Sequence, residues 1–403
     1  MRKFSLAVVL QSISPILQFG LAILIARVWG LDVQGFYASK KAFLDLLVVI
    51  GSFGFPQSIV LAINRDNASR VQLYRSAWIY GLGLFPFFFV ASVLFGGGSS
   101  GYMVGAIALA LASSAIVINQ ILRAVLLTLN DGFRFHLITV VPAIGIVFSV
   151  LVVLMVLSFD RTNLSGSMAY AFMLTAGLVV LLTSLAFPPS MVRGFSGVWP
   201  SYRRLLTDGI DVFLQATLMS AQSYIALKWT GEAIGLVQAG YVSIGLMLFQ
   251  AFLLPLQMIA PLLLNQWSRT APPTVFALKA KVAPGNVLGL AIGFGGIIVA
   301  GSWWAPLVFG EKIHIGVPTL QIFMLAALPA VLARFASLYF MAFRRFRINV
   351  WLAGLRLGIF TVMLMGLAFL QELTALTVAI IWLFSELVTL IGYWALMNRR
   401  AVA

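Results

Sequence analysis

The chemistry this sequence can do begins with ionisable side chains set inside long apolar runs. Four are arginines, Arg27, Arg123, Arg334 and Arg356, and three are acids, Asp45, Asp211 and Glu386. A charge in such a run is expensive to desolvate, so it faces a partner or a polar cavity. Guanidinium groups keep their charge in a low-dielectric site. Their planar fork of donors suits a phosphate or pyrophosphate held bidentately. Asn119 lies one turn before Arg123, and Ser337 lies three residues after Arg334, so each arginine has a polar neighbour on its own face. Arg334 sits deepest, about nine residues or about 13 Å of helix from the end of its run. Arg123 and Arg356 are close enough to the run ends to snorkel to headgroups instead. Arg27 has Asp32 and Asp45 at hand as structural partners on the rim.

Neutral polar residues add two stripes. Gln11, Ser14 and Gln18 share one face of the first run, and Asp211, Gln215 and Gln222 share a face of the seventh. Equivalent stripes in two halves of a chain are expected to face each other across one cavity. Gln250 and Gln257, seven apart, are a third candidate lining. Each glutamine serves equally well as a plain helix-to-helix hydrogen bond. Asp211 and Glu386 are candidates for coupling to a proton or sodium ion; the alternative for each is a buried salt bridge to one of the arginines.

Other chemistries find no residues to run on. There is no cysteine, so neither a disulfide framework nor a thiolate metal site exists. The two histidines, His136 and His314, fall in different loops on opposite sides. No HExxH motif or phosphate-binding Gly-Lys-Ser/Thr loop occurs, so ATP hydrolysis and metal catalysis are not expected. The glycines from Gly96 to Gly101 match GxGxxG, but no strand precedes them and they read as a turn.

The elements that must position these side chains are membrane helices. The chain is 62% hydrophobic and 9% charged, with a mean hydropathy of +1.04 over 403 residues, far outside the range of soluble domains. Apolar runs of the length a bilayer crossing demands predict about twelve spans. They fall at 5–30, 40–64, 75–96, 103–128, 137–158, 166–187, 206–229, 240–265, 285–309, 318–343, 350–371 and 373–397. Met1, Arg2 and Lys3 lead into the first run without a small-residue cleavage site, so that span is expected to be retained. Basic residues collect at the N-terminus, in alternate loops and at the C-terminus: Arg2 and Lys3, then Arg65, Arg70 and Arg75, then Arg134, then Arg193, Arg203 and Arg204, then Arg269, Lys279 and Lys281, then Arg344, Arg345 and Arg347, and finally Arg399 and Arg400. The opposite set holds only Lys40, Lys41, Arg161, Lys228 and Lys312. The richer side is cytoplasmic, which puts both termini there. The net charge of +15 is this topological signal, so no nucleic-acid partner is called for.

Two halves repeat. Gly30 and Gly35 with Phe36 are spaced like Gly235 and Gly240 with Tyr241, and each pair opens a long apolar run. Both are read as glycine-rich turns before the second and eighth spans. The chain thus divides into a six-helix bundle at 1–187, a proline-bearing cytoplasmic linker at 188–205, and a second six-helix bundle at 206–403, the plan common to secondary transporters. GxxxG pairs at Gly285, Gly289 and Gly293 and at Gly354 and Gly358 are expected to pack helices closely.

The opening residues carry a resemblance. The first helix ends in Arg27, Val28, Trp29 and Gly30; Gly35, Phe36, Tyr37 and Ala38 follow, then Gly51, Ser52, Phe53, Gly54, Phe55 and Pro56 with Ser58 and Ile59. This pattern resembles the Wzx-type polysaccharide flippases of the multidrug/oligosaccharidyl-lipid/polysaccharide exporter (MOP) superfamily, which also contains the MATE drug antiporters. The resemblance implies alternating access and an undecaprenyl-pyrophosphate-linked oligosaccharide turned from the inner to the outer leaflet. It implies the bacterial inner membrane, no cofactor beyond a proton or sodium gradient, and a polysaccharide polymerase and other assembly enzymes as further partners. A MATE-like cation-coupled drug antiporter is the alternative, and a carboxylate-dominated lumen would favour it. The topology has a direct check. Green fluorescent protein fused after Ala403 is expected to fluoresce and alkaline phosphatase fused there to be inactive; an active phosphatase would invert the orientation.

Overall fold

The structure, a computed structural model, describes residues 2–56, 58, 59, 63, 70–95, 102–127, 132–155, 164–187, 202–269, 295–342 and 345–399. Hydrocarbon offers the backbone no hydrogen-bond partner, so runs this apolar must pair their own N–H and C=O groups. The described residues form helices and the turns between them, with no strand among them. In chain order the helices are α1 (Arg2–Leu24), α2 (Leu31–Ser52), α3 (Arg70–Gly83), α4 (Phe85–Phe95), α5 (Tyr102–Leu127), α6 (Gly132–Met155) and α7 (Leu164–Ala186). After these come α8 (Tyr202–Ala233), α9 (Leu236–Arg269), α10 (Gly301–Phe309), α11 (Val317–Ala342), α12 (Phe346–Phe369) and α13 (Ala375–Arg399). A π turn, Ile25–Trp29, ends α1, and a 3-10 turn, Glu311–Gly316, leads into α11.

Nine candidate spans among the described residues are long and apolar enough to cross a membrane. The chain is therefore an all-α polytopic membrane protein. Helices α3 and α4 form a single span, because Leu84 N donates to Tyr80 O and Phe88 N to Leu84 O across the break. The interruption is at Leu84, two residues before Pro86, which has no N–H to give to the preceding turn. Helices α2 and α8 are as long as a span but more polar, carrying Lys40, Lys41 and Asp45 and Asp208, Asp211, Gln215 and Gln222 respectively. The span expected at 285–309 is described only from residue 295. Gly285, Gly289 and Gly293, the glycine-rich turn at 96–101 and the linker residues 188–201 lie outside the described residues.

One expectation is corrected at both repeats. Gly35, Phe36 and Tyr37 are not a turn; α2 begins at Leu31 and runs through them, and α9 runs through Gly240 and Tyr241 in the same way. The turn is a single glycine in each half, Gly30 at φ 107° and Gly235 at φ 103°. Only glycine adopts that conformation without strain. The second glycine of each pair instead allows a helix crossing. A Cβ on Gly35 would overlap the Leu236 carbonyl oxygen and lie 2.7 Å from Gly240 N, and one on Gly240 would overlap the Leu31 carbonyl oxygen. Leu31 and Leu236 each follow the turn glycine of their repeat, so the crossing is reciprocal between equivalent helices. Gln34 Nε2 donates to Ser243 Oγ at 2.9 Å beside it, with both residues buried. By contrast, Gly358 has nothing within 4 Å of a would-be Cβ and Gly354 meets only Leu218, so the GxxxG of α12 is not a close crossing.

Compact packing divides the chain into two units with exchanged segments. One holds Met1–Leu21 with Lys40–Thr217; the other holds Ala22–Ser39 with Leu218–Ala403. The boundaries fall inside α1, α2 and α8, and residues 202–205, expected in the linker at 188–205, already belong to α8. In the first unit α5 is the central helix, packed by α3, α4, α6 and α7; in the second α11 is central, packed by α9, α10, α12 and α13. The glycine crossing yields a stability test. Gly240→Leu drives atoms into backbone, which no side-chain rotation relieves, and should cost at least about 1–3 kcal/mol. Gly358→Ala should cost nothing. Thermal unfolding in detergent compares them, and equal melting would remove the crossing from the account.

Candidate functional site

The second unit buries a charged cluster on three neighbouring helices. Arg334 comes from α11, Arg356 from α12 and Glu386 from α13. Arg356 Nη2 lies 2.8 Å from Glu386 Oε1, with both side chains nearly inaccessible. The contact is close but poorly aligned: among the described residues neither Arg356 Nε nor Glu386 Oε1 has an aligned hydrogen bond. Arg356 also lies 5.2 Å from the ring centroid of Trp382, one turn before Glu386. A desolvated guanidinium over indole is worth about 2 kcal/mol. Phe249, Phe323 and Phe360 surround that indole, with ring centroids 5.5–5.9 Å away. Arg334 is half-buried and lies within electrostatic reach of both Arg356 and Glu386.

Neutral groups fix the cluster's position. Tyr393 Oη donates to Asn349 Oδ1 at 2.9 Å, and Asn349 Nδ2 donates to Ser337 O at 3.2 Å, tying α13 to α12 and α12 to α11. Gln222 Nε2 donates to Ser385 Oγ at 3.2 Å, bringing in α8. The cluster sets two guanidinium groups against one carboxylate, of which only Arg356 is in contact with it.

Comparison with solved structures gives alignments over nearly the whole chain. An inward-facing multidrug resistance MATE family transporter of the MOP superfamily covers 98% of this chain and 98% of its own, with a TM-score of 0.69 and 14% identity. The chain has the MATE transporter fold. An outward-facing MATE family transporter covers 99% of this chain and 94% of its own, with a TM-score of 0.62 and 17% identity. A MOP superfamily transporter from Pyrococcus furiosus, described by a reverse polarity of its binding pocket that suggests a different function, covers 100% and 94%, with a TM-score of 0.58 and 16% identity. No protein-family model and no curated protein sequence matches.

Within the MATE fold the other sequence candidates scatter. Asn119 is not an open wall: it is 1% exposed, and its Nδ2 donates to Ile138 O and Thr183 Oγ1, bridging α5 to α6 and α7. Asn119 and Arg334 each stand eighteenth in a central helix of 26 residues. Arg123 is half-buried with its guanidinium 5.8 Å from the Phe135 ring. Arg27 is exposed and donates to Leu307 O in the last turn of α10, where a cation meets the negative end of the helix dipole. Of its two expected rim partners, Asp45 pairs with Lys41, and no ion pair joins Arg27 to Asp32 among the described residues.

The polar stripes part company too. Gln18 bonds Ser14 on its own helix. Asp211 and Gln215 are half-buried in the first unit, and Gln222 is buried in the second. Gln250 is exposed, while the side chains of Gln11 and Gln257 lie outside the described residues. Of the coupling candidates, Glu386 has the salt bridge that was its alternative reading; Asp211 has no ion pair among the described residues. Sequence reasoning passed over Asn349, Trp382 and Tyr393. The signal was a face: Trp382, Glu386, Thr389 and Tyr393 recur at helical spacing, as do Asn349 and Arg356. Removing one partner of the buried pair should be costly. Glu386→Ala is expected to lose about 3–5 kcal/mol, whereas Glu386→Met with Arg356→Met should lose far less than the sum of the single changes. Additive losses in thermal unfolding would show that the pair does not act as a unit.

Proposed function

We propose that the chain is a flippase that carries a polyprenyl-pyrophosphate-linked oligosaccharide from the cytoplasmic to the outer leaflet of the bacterial inner membrane. The observation that carries this reading is the sign of the buried cluster: Arg334 and Arg356 against Glu386 alone. A cationic seat inside a transporter fold suits an anionic ligand, and a diphosphate offers oxygens in pairs to a guanidinium fork. The fold and its MATE neighbours in inward-facing and outward-facing states support alternating access over catalysis. Arg334, the half-buried member, is the first contact for the diphosphate, while the polyprenyl tail stays in lipid. Arg123 and Arg27 are secondary cationic contacts on this reading. No cofactor takes part. An ion gradient supplies the energy, and the assembly enzymes of a surface polysaccharide, such as its polymerase, are the partners downstream.

The second reading is a MATE-like cation-coupled drug antiporter, favoured by the multidrug neighbours themselves. Translocation in proteoliposomes separates the two. A fluorescent polyprenyl-diphosphate oligosaccharide should be moved by the wild type and not by Arg334→Ala, with the variant's melting unchanged. Transport by both would make Arg334 a structural residue. Export of an organic cation with no movement of the lipid would favour the antiporter.

A further inference from the structure

The buried pair has a feature that packing alone does not call for. Arg356 meets Glu386 through Nη2 only, and its Nε, which faces the same edge of the guanidinium, has no partner among the described residues. An Nε–Nη2 edge is the side on which two oxygens of one phosphoryl group bind in parallel. Glu386 spends one oxygen on Nη2 without aligned geometry and leaves that edge half used. We infer that Glu386 is a built-in stand-in for the substrate's anion: the diphosphate displaces it from Arg356, and the displaced carboxylate takes up one proton. This rests on the anionic-substrate reading above and names how that site is regulated.

The surroundings of Glu386 leave the displaced carboxylate little choice. The charged and titratable groups facing it are Arg356 from α12, Arg334 from α11 and Tyr393 on its own helix. From α9 the neighbouring side chain is Phe249, packed on Trp382, and from α8 it is the neutral amide of Gln222, bonded to Ser385. Once a diphosphate occupies both guanidinium groups, no second cation remains among these to balance a free carboxylate. A buried charge without a partner is neutralised by a proton, drawn from the water on whichever side the site is open. When the ligand leaves, Glu386 gives up the proton and closes again on Arg356, so the empty carrier is never left with that arginine bare.

The sign of this linkage has a consequence for energy coupling. A proton taken up with an outgoing anion runs against an inward proton gradient and extracts no work from it. Glu386 on this account is a counter-anion, not the driving site, which leaves Asp211 or a sodium ion for that role.

The test is calorimetric titration of the purified full chain in detergent with farnesyl diphosphate, in two buffers of different ionisation enthalpy across pH 6–8. The wild type should take up about one proton per ligand beyond the ligand's own ionisation, and its affinity should rise by about tenfold per unit fall in pH. E386Q should bind more tightly and without that extra proton, and R356M should lose binding. Equal proton uptake and equal pH slope in wild type and E386Q would overturn the inference and leave the flippase reading standing. Folded wild type and folded E386Q that both fail to bind would overturn the anionic-substrate reading itself. If E386Q does not fold, the wild type measured against the titration of free farnesyl diphosphate decides alone, with no excess proton counting against the inference.

Discussion

Inside hydrocarbon no water repairs a missing partner, and that constraint runs through every level of this molecule. It turns the apolar runs into helices, because only helices satisfy their backbone within one segment. It ties Asn119 to two neighbouring helices and Gln34 to Ser243. Above all it governs the charges. Arg356 is held by a carboxylate and an indole, and Arg334 lies within electrostatic reach of both Arg356 and Glu386. Burying such groups is costly, and a well-packed apolar replacement is often as stable.

The repeat explains where the charge is by showing where it is not. Both halves use one positive-φ glycine to end a helix and a second glycine to cross its counterpart, and the crossing pairs Leu31 with Gly240 and Leu236 with Gly35. Each unit then gathers its helices around one central element. At the same register of those elements the first unit has Asn119 in a closed set of neutral hydrogen bonds, and the second has Arg334 in a charged cluster.

Much of the fold could be read from the chain, and the reason is physical. Apolar length sets span positions, and turn glycines mark helix ends, so α5 to α7 and α11 to α13 lie within a few residues of expectation. Gly35 and Gly240 were misread because a glycine allowing close approach and a glycine allowing a turn look alike in one dimension. The site was legible in part. Arg356, Arg334 and Glu386 stood out by their cost in lipid, but their meeting did not, because it depends on how three helices are rotated about their axes. Asn119 and Gln222 looked like cavity walls for the same reason: polarity shows in a sequence, whereas the partner that satisfies it does not. Trp382 was invisible as a site residue, since an aromatic in an apolar run carries no mark of the cation above it.

The account stands on one placement, a diphosphate seated between Arg334 and Arg356. Cryo-electron microscopy of the full chain in nanodiscs with a polyprenyl diphosphate would show it most directly. The account predicts phosphate density within hydrogen-bonding distance of both guanidinium groups and Glu386 moved off Arg356. Phosphate density elsewhere, with the Arg356–Glu386 pair still closed, would contradict it.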